Sequence, residues 1–572
     1  MLKLKLCAGA AVFALTLAAC ESIGTAPGPE KISGDVADAG NDTGLYAEGE
    51  EAFEVTAPAP TVRRAVQMTA GAAPPPPRPQ PLPGDIDREN YENVEINPVK
   101  LVAEEPVSTF SIDVDTASYA NVRRYLNRGV LPPKDAVRIE ELVNYFDYAY
   151  PLPETADTPF STNVQITPSP WSEGRELMHV GIQGYEIEAE ERPPLNLTLL
   201  VDVSGSMEAD DKLPLARKAL KMLVDELGEE DRVAIAVYAG AAGAVLEPTP
   251  GVEKAKIAAA LDNMSAGGST AGGEGLRLAY ALAEQNFDED SVNRVMLLTD
   301  GDFNVGIADP ERLEDFVSRK RNTGVYLSVL GFGQGNYNDA LMQKIAQTGN
   351  GMATYIDTLN EARKVLSDDL SGSLFPIAND VKIQIEFNPA RVAEYRLIGY
   401  ETRLLNREDF NNDQVDAGDI GAGHSVTAVY ELTPAGSDAR LIDDVRYAAN
   451  SKSAVDPDVS AEYAFLKLRY KLPGDTVSKL VTRPIINDDK ADGMGDASRP
   501  ARFATAVAAY GQLLRGDPYL SDAFGYDDII DLANDAKGVD EFGYRSEFVQ
   551  LVRSAKSAAA QEALKRPGGG GD

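Results

Sequence analysis

The stretch Asp202-Val203-Ser204-Gly205-Ser206 follows the mainly apolar run 195–201 and ends in a turn. Strands covered on both faces read as near-continuous apolar runs, and open α/β sheets gather their ligands at the carboxyl ends of such strands. Asp202, Ser204 and Ser206 are therefore expected to crowd one loop at the top edge of a sheet. Two further pieces follow downstream: Thr270, in the glycine-rich loop Ala266-Gly267-Gly268-Ser269-Thr270, and Asp300, which ends the apolar run Val295-Met296-Leu297-Leu298-Thr299. The five side chains offer only oxygen. Hard cations such as Mg²⁺ take oxygen ligands, demand octahedral geometry and keep several waters, so three hydroxyls and two carboxylates suit one. Ser and Asp after a strand also cap the following helix, but helix capping alone does not account for Thr270 and Asp300.

In this chain order Asp202, Ser204, Ser206, Thr270 and Asp300 resemble the metal-ion-dependent adhesion site of von Willebrand factor type A domains. The resemblance implies that Ser204, Ser206 and Thr270 bind the ion directly or nearly so, while Asp202 and Asp300 reach it mostly through water. It implies Mg²⁺, with Mn²⁺ or Ca²⁺ as alternatives. An ion held chiefly by neutral oxygens stays electrophilic, and an acidic side chain of a partner protein can take the open position.

Outward from the loop, strands and helices alternate: strand 195–201, helix 213–227, strand 233–238, a short strand 244–246, helices 252–264 and 273–287, strand 295–299, helix 310–322, strand 325–332, helix 339–347 and strand 352–356. This predicts an α/β fold with a doubly wound, mainly parallel sheet and helices on both faces, spanning 191–370. The flanks alternate with period two at 162–166, 177–182, 381–387, 392–400, 425–432 and 463–472, which suggests a β-sandwich-like domain. Two of these runs precede the α/β part and four follow it, so its insertion into a sandwich built from both flanks is one expectation. A row of domains is the other: N-terminal segment 96–190, β-rich domain 371–480 and helical segment 481–572. Helices are expected at 119–128 and 138–148, and again at 501–515, 526–536 and 542–566. The stretch from Phe110 through Asn127-Arg128-Gly129-Val130-Leu131-Pro132-Pro133 to Tyr148, and Gly421-Ala422-Gly423-His424 later, resemble the segments that flank the type A domain in a family of bacterial lipoproteins.

Lys3 and Lys5 precede an apolar stretch to Ala19, a secretory signal peptide over 1–19 that is too short to span a membrane. Its end, Leu17-Ala18-Ala19-Cys20, resembles the bacterial lipobox, implying lipid on Cys20 and anchoring at a membrane. Glu21 in place of Asp implies the outer membrane, facing the periplasm, over the inner one. Residues 20–95, with Pro74-Pro75-Pro76-Pro77-Arg78-Pro79, read as a disordered tether; a coil of ~75 residues spans about 50 Å. The other cysteine, Cys7, lies in the signal, so the exported chain has no internal disulfide. Two histidines, His179 and His424, exclude a histidine-rich metal centre. A net charge of −36 excludes nucleic acid as a partner.

Asp113, Asp115 and Ser118 imitate a metal loop but have no companion loops, and read as turn and capping residues. The run Asp409-Phe410-Asn411-Asn412-Asp413 starts like a calcium loop, yet Gln414 replaces the turn glycine and Ile420 the bidentate Glu. Arg515-Gly516-Asp517 lies where a helix ends, so capping explains it. Ser204 and Ser206 have no histidine within 191–370 to activate them, and neither a Walker sequence nor a dinucleotide fingerprint is present. The sequence thus reads as a non-enzymatic, membrane-anchored protein that grips an acidic protein partner through a divalent ion. An assembly or chaperone-like factor and a metal-dependent hydrolase are the alternatives.

Overall fold

A computed structural model describes residues 89–188, 191–268, 272–301, 310–335, 337–443 and 461–565. The expected signal, Cys20, most of the tether and Thr270 lie outside the described residues. Among the described residues no helix is long and apolar enough to cross a membrane.

The α/β part is built on six strands in the spatial order Ala353–Ile356, Val325–Phe332, Val292–Thr299, Leu195–Asp202, Arg232–Tyr238 and Ala242–Pro250. The first five run parallel and the last is antiparallel. The final strand is longer than the 244–246 expected, because its outer face is largely exposed and its sequence lacks an apolar run. Strand Leu195–Asp202 is buried along its whole length. Leu199 and Val201 face one core, with helix Leu213–Glu226, while Leu200 faces the other, with residues of the helices Gly272–Gln285, Pro310–Arg321 and Asp339–Thr348. This is the period-two side-chain alternation of a strand sandwiched between helical layers.

The flanks form two more sheets. One has the order Lys100–Leu101, Val392–Ile398, Ser425–Pro434, Glu176–Gly184, Phe160–Pro168, all antiparallel. The other places Pro376–Phe387 beside Ala464–Lys471, which pairs with Lys479–Ile485; Gly418–Gly421 and Val107–Ser111 share its opposite edge. Both sheets draw strands from before and after the α/β part, which is therefore inserted between them in sequence. Their inner faces meet in one core, with Met178, Val180, Val426 and Tyr430 from one sheet and Ile383, Ile385, Leu466 and Leu468 from the other. The outer face of the first sheet, with Leu177, Ile398 and Val429, is covered by residues of the helices Ala117–Asn127, Ile139–Asn144, Arg499–Arg515, Tyr526–Ala536 and Tyr544–Lys565.

Three expectations need correction. The tether ends before 95: Glu89 already accepts hydrogen bonds from both terminal nitrogens of Arg124, at 2.6 Å each, and the pair is buried. The helix expected over 138–148 stops at Asn144, and Tyr145, Phe146 and Tyr148 are buried beyond its end as an aromatic cluster. Lys479–Ile485 is a strand the periodicity did not show, since it is an edge strand with Leu480 exposed and Pro484 within it.

Candidate metal site

Asp202 closes the central strand, and Asp300 follows the neighbouring strand on the side where the chain order reverses. That reversal is where open α/β sheets leave a crevice at the strand ends. Asp202 is fully buried. Its Oδ1 accepts the Ser204 backbone N–H at 2.8 Å, which folds the loop back over the strand end. Its Oδ2 accepts the Tyr238 hydroxyl at 3.0 Å and that of Thr299 at 3.4 Å. The loop is closed from the other side by the glycine-rich loop: Gly267 N–H donates to Val203 C=O at 2.8 Å, and Gly205 N–H to Gly268 C=O at 3.1 Å. The structure thus docks the start of the glycine-rich loop on the serine loop, although Thr270 itself is outside the described residues.

Ser204 and Ser206 Oγ atoms lie 2.9 Å apart. That is a normal O–H···O distance, and it also equals the separation of adjacent ligands around an ion with Mg–O bonds of 2.0–2.1 Å, about 2.9 Å. Burial pushes the Asp202 carboxyl up to about 6, against the hydrogen bonds from Ser204 that lower it, and the charge of Asp300 adds to the rise. Two enclosed carboxylates beside two adjacent hydroxyls form an all-oxygen set, which fits a divalent cation. Among the described residues no group of three or more His, Cys, Asp or Glu is placed to hold a metal, so a carboxylate-rich centre of another kind is absent there.

The sequence reading missed Lys212 and Tyr238. Lys212 Nζ donates to Asp300 Oδ2 at 2.8 Å, and both side chains are buried. Gly333 has φ +75°, and a Cβ there would come within 2.3 Å of the Lys212 stem, so the glycine leaves room for the lysine to reach Asp300. A lysine at the N-terminus of helix Leu213–Glu226 opposes the helix dipole, and that anomaly was the available signal. Tyr238 ends the next strand, where its hydroxyl reads as ordinary core until the register puts it against Asp202.

The other motifs are structural. Arg403 Nη2 bridges Asp113 and Asp115 at 2.8 and 2.9 Å, Asp115 accepts the Ala353 N–H, and Ser118 Oγ donates to Ala136 C=O. Asp413 pairs with Arg469 and Ser478. Gly516 ends its helix at φ +67°, while Arg515 and Asp517 are buried against Glu401 and Arg396.

Residues 196–368 match the family model of the von Willebrand factor type A domain, residues 85–179 a model described as von Willebrand factor, and residues 372–558 one described as the C-terminal part of the uncharacterized protein YfbK. The chain is 49% identical over 471 residues to YfbK of Escherichia coli (strain K12), covering 81% of this chain and 80% of that one. The chain belongs to the YfbK family. It is also 24% identical over 352 residues to the human inter-alpha-trypsin inhibitor heavy chain H3, covering 55% of this chain and 39% of that one. A solved structure of a von Willebrand factor type A protein from Catenulispora acidiphila aligns with 71% of this chain and 91% of its own, at 15% identity and a TM-score of 0.39. Domains of the type A class are protein-interaction modules and often hold a divalent metal.

Proposed function

We propose that the chain is an exported lipoprotein, anchored through Cys20, that binds a protein partner by way of a divalent ion held by Asp202, Ser204, Ser206, Thr270 and Asp300. The observation that supports this reading most is the pair of serine hydroxyls 2.9 Å apart beside two enclosed carboxylates at the crevice of the sheet. The ion, Mg²⁺ or else Mn²⁺ or Ca²⁺, supplies an electrophilic position for a Glu or Asp of the partner. The chain's own part is to orient the hydroxyls through Asp202 and to hold Asp300 through Lys212. Binding fits better than hydrolysis, because both histidines lie outside the α/β part and His179 is buried against Thr505. An assembly role in the envelope uses the same site and differs only in the partner.

Calorimetry tests the ion. Wild type should take up Mg²⁺ stoichiometrically and Asp202→Ala should lose most of the affinity while staying folded; equal affinity in the two proteins would sink the assignment. A pull-down from native envelope in Mg²⁺, eluted with chelator, should return a partner that Asp202→Ala does not capture. Cys20→Ala should release the protein from membranes, and an unmodified N-terminal cysteine in the wild type by mass spectrometry would refute the anchor.

A further inference from the structure

A cleft of about 340 Å³ lies between the α/β part and the sandwich, with Arg294, Gly351 and Met352 on one side and Asp113, Arg403 and Asp419 on the other. It is separate from the ion site. Arg294 lies near the start of strand Val292–Thr299 and Asp300 just past its end, which at a strand rise of ~3.3 Å per residue separates them by about 20 Å. Boundaries between domains are where small-molecule sites commonly form.

Arg294 is 3% exposed. One of its terminal nitrogens donates to Ser328 Oγ at 2.6 Å, the other reaches Leu374 C=O only at 3.5 Å, and Nε has no partner. Seven arginines are buried among the described residues. The other six, Arg123, Arg124, Arg138, Arg175, Arg396 and Arg515, each have a carboxylate within ion-pair distance. Arg294 has none among the described residues. A guanidinium taken out of water without a counter-charge destabilises the fold, and such local costs concentrate where a ligand is bound. Across the cleft, the Asp419 carboxyl is held by the Asn379 side chain and, through Oδ1, by the Asp380 N–H at 3.1 Å, while its Oδ2 is enclosed and has no partner. Arg403 cannot serve Asp419, since it is engaged by Asp113 and Asp115. The charge of Asp419 does reach Arg294, so the two groups share one electrostatic environment without meeting.

An anion alone would answer Arg294 and leave Asp419 worse off. We propose that this cleft binds a small carboxylate that carries a neighbouring N–H, its carboxylate pairing with Arg294 and its nitrogen donating to Asp419. A free α-amino acid and the last residue of a peptide chain both have that chemistry.

The test is calorimetric titration of the full-length protein, in chelator so that the ion site plays no part, with L-alanine, tri-alanine and the C-terminal amide of each. At least one free carboxylate should bind with an affinity of roughly millimolar or better, and its amide at least about tenfold more weakly. Binding of alanine assigns the site to free amino acids, and binding of tri-alanine alone assigns it to chain ends. Arg294→Gln should abolish the heat. If that variant does not fold, Thr348→Trp at the solvent-facing rim, where the native hydroxyl bonds only Lys344 C=O, should close the cleft with the same result. Absence of binding by both free carboxylates, amides that bind equally well, or affinity unchanged in these variants would overturn the proposal.

Discussion

At the residue scale the candidate metal site sets Lys212 against any incoming cation for one carboxylate. Lys212 already holds Asp300 at 2.8 Å in a buried pair, so a divalent ion entering beside Asp202 meets a fixed positive charge nearby. Like charges a few ångströms apart repel by on the order of 1 kcal/mol or more even at a high effective dielectric constant. Lys212→Met keeps the stem that fills the space beside Gly333 and removes only the ammonium. It is expected to tighten Mg²⁺ by roughly fivefold or more, read by calorimetry at fixed ionic strength. Weaker binding would show instead that Lys212 acts mainly by positioning Asp300. That Asp202, Ser204, Ser206 and Asp300 gather at neighbouring strand ends was legible in the sequence, because each follows an apolar run of the sheet. Lys212 was not, since its partner is 88 residues away and only the sheet order brings them together.

At the scale of elements, helix Ala117–Asn127 ties the parts together through one side chain. Arg123 is 1% exposed and pairs with Asp357 and Glu361 of the α/β part and with Glu547 of the last helix. Tyr145 donates to Glu361 from the same cluster. Asp357 and Glu361 are nearly inaccessible while Glu547 is about one-third exposed. Arg123→Met therefore strands two buried carboxylates and should cost about 3–5 kcal/mol, whereas Glu547→Gln should cost under about 1 kcal/mol. Urea unfolding midpoints measure both, and similar losses would mean that the network carries no special weight. The helix itself was readable from its apolar spacing and the glycine that follows it. Its role was not, because Arg123 looks like an exposed charge until Asp357 and Glu361 arrive more than 200 residues later. The same limit applies to strand Lys479–Ile485, whose outward face has no apolar alternation to read.

At the scale of the whole molecule, the sandwich closes around an inserted α/β part, and the seams bury acids that a surface chain would leave in water. The alternating flanks announced two sheets, but which strands pair across the insertion is decided by register: Val107–Ser111 lies beside Pro376–Phe387, and Glu176–Gly184 beside Ser425–Pro434. Glu140 is 1% exposed; burial, then the charges of Glu401 and Asp113, push it up to about 8. Burial pushes the enclosed carboxyl of Asp419 up to about 7. Both take up protons in the native state as the pH falls through these values, where the unfolded chain, with ordinary carboxyls, stays ionised. Stability must then rise as the pH falls through about 8 toward 6.5, by on the order of 2 kcal/mol. His179 acts oppositely, because burial lowers it to about 4. Its contribution is complete above about 6.5, the value of an unfolded histidine, and is lost as the pH falls from there toward 4. Between pH 8 and 6.5 the carboxyls dominate, so the Tm of wild type should increase across that window at constant ionic strength. Glu140→Gln is neutral at every pH, so it should raise the Tm at pH 8 and flatten the slope. A wild-type Tm that falls between pH 8 and 6.5, or a slope unaltered by Glu140→Gln, would show that the seam holds Glu140 ionised.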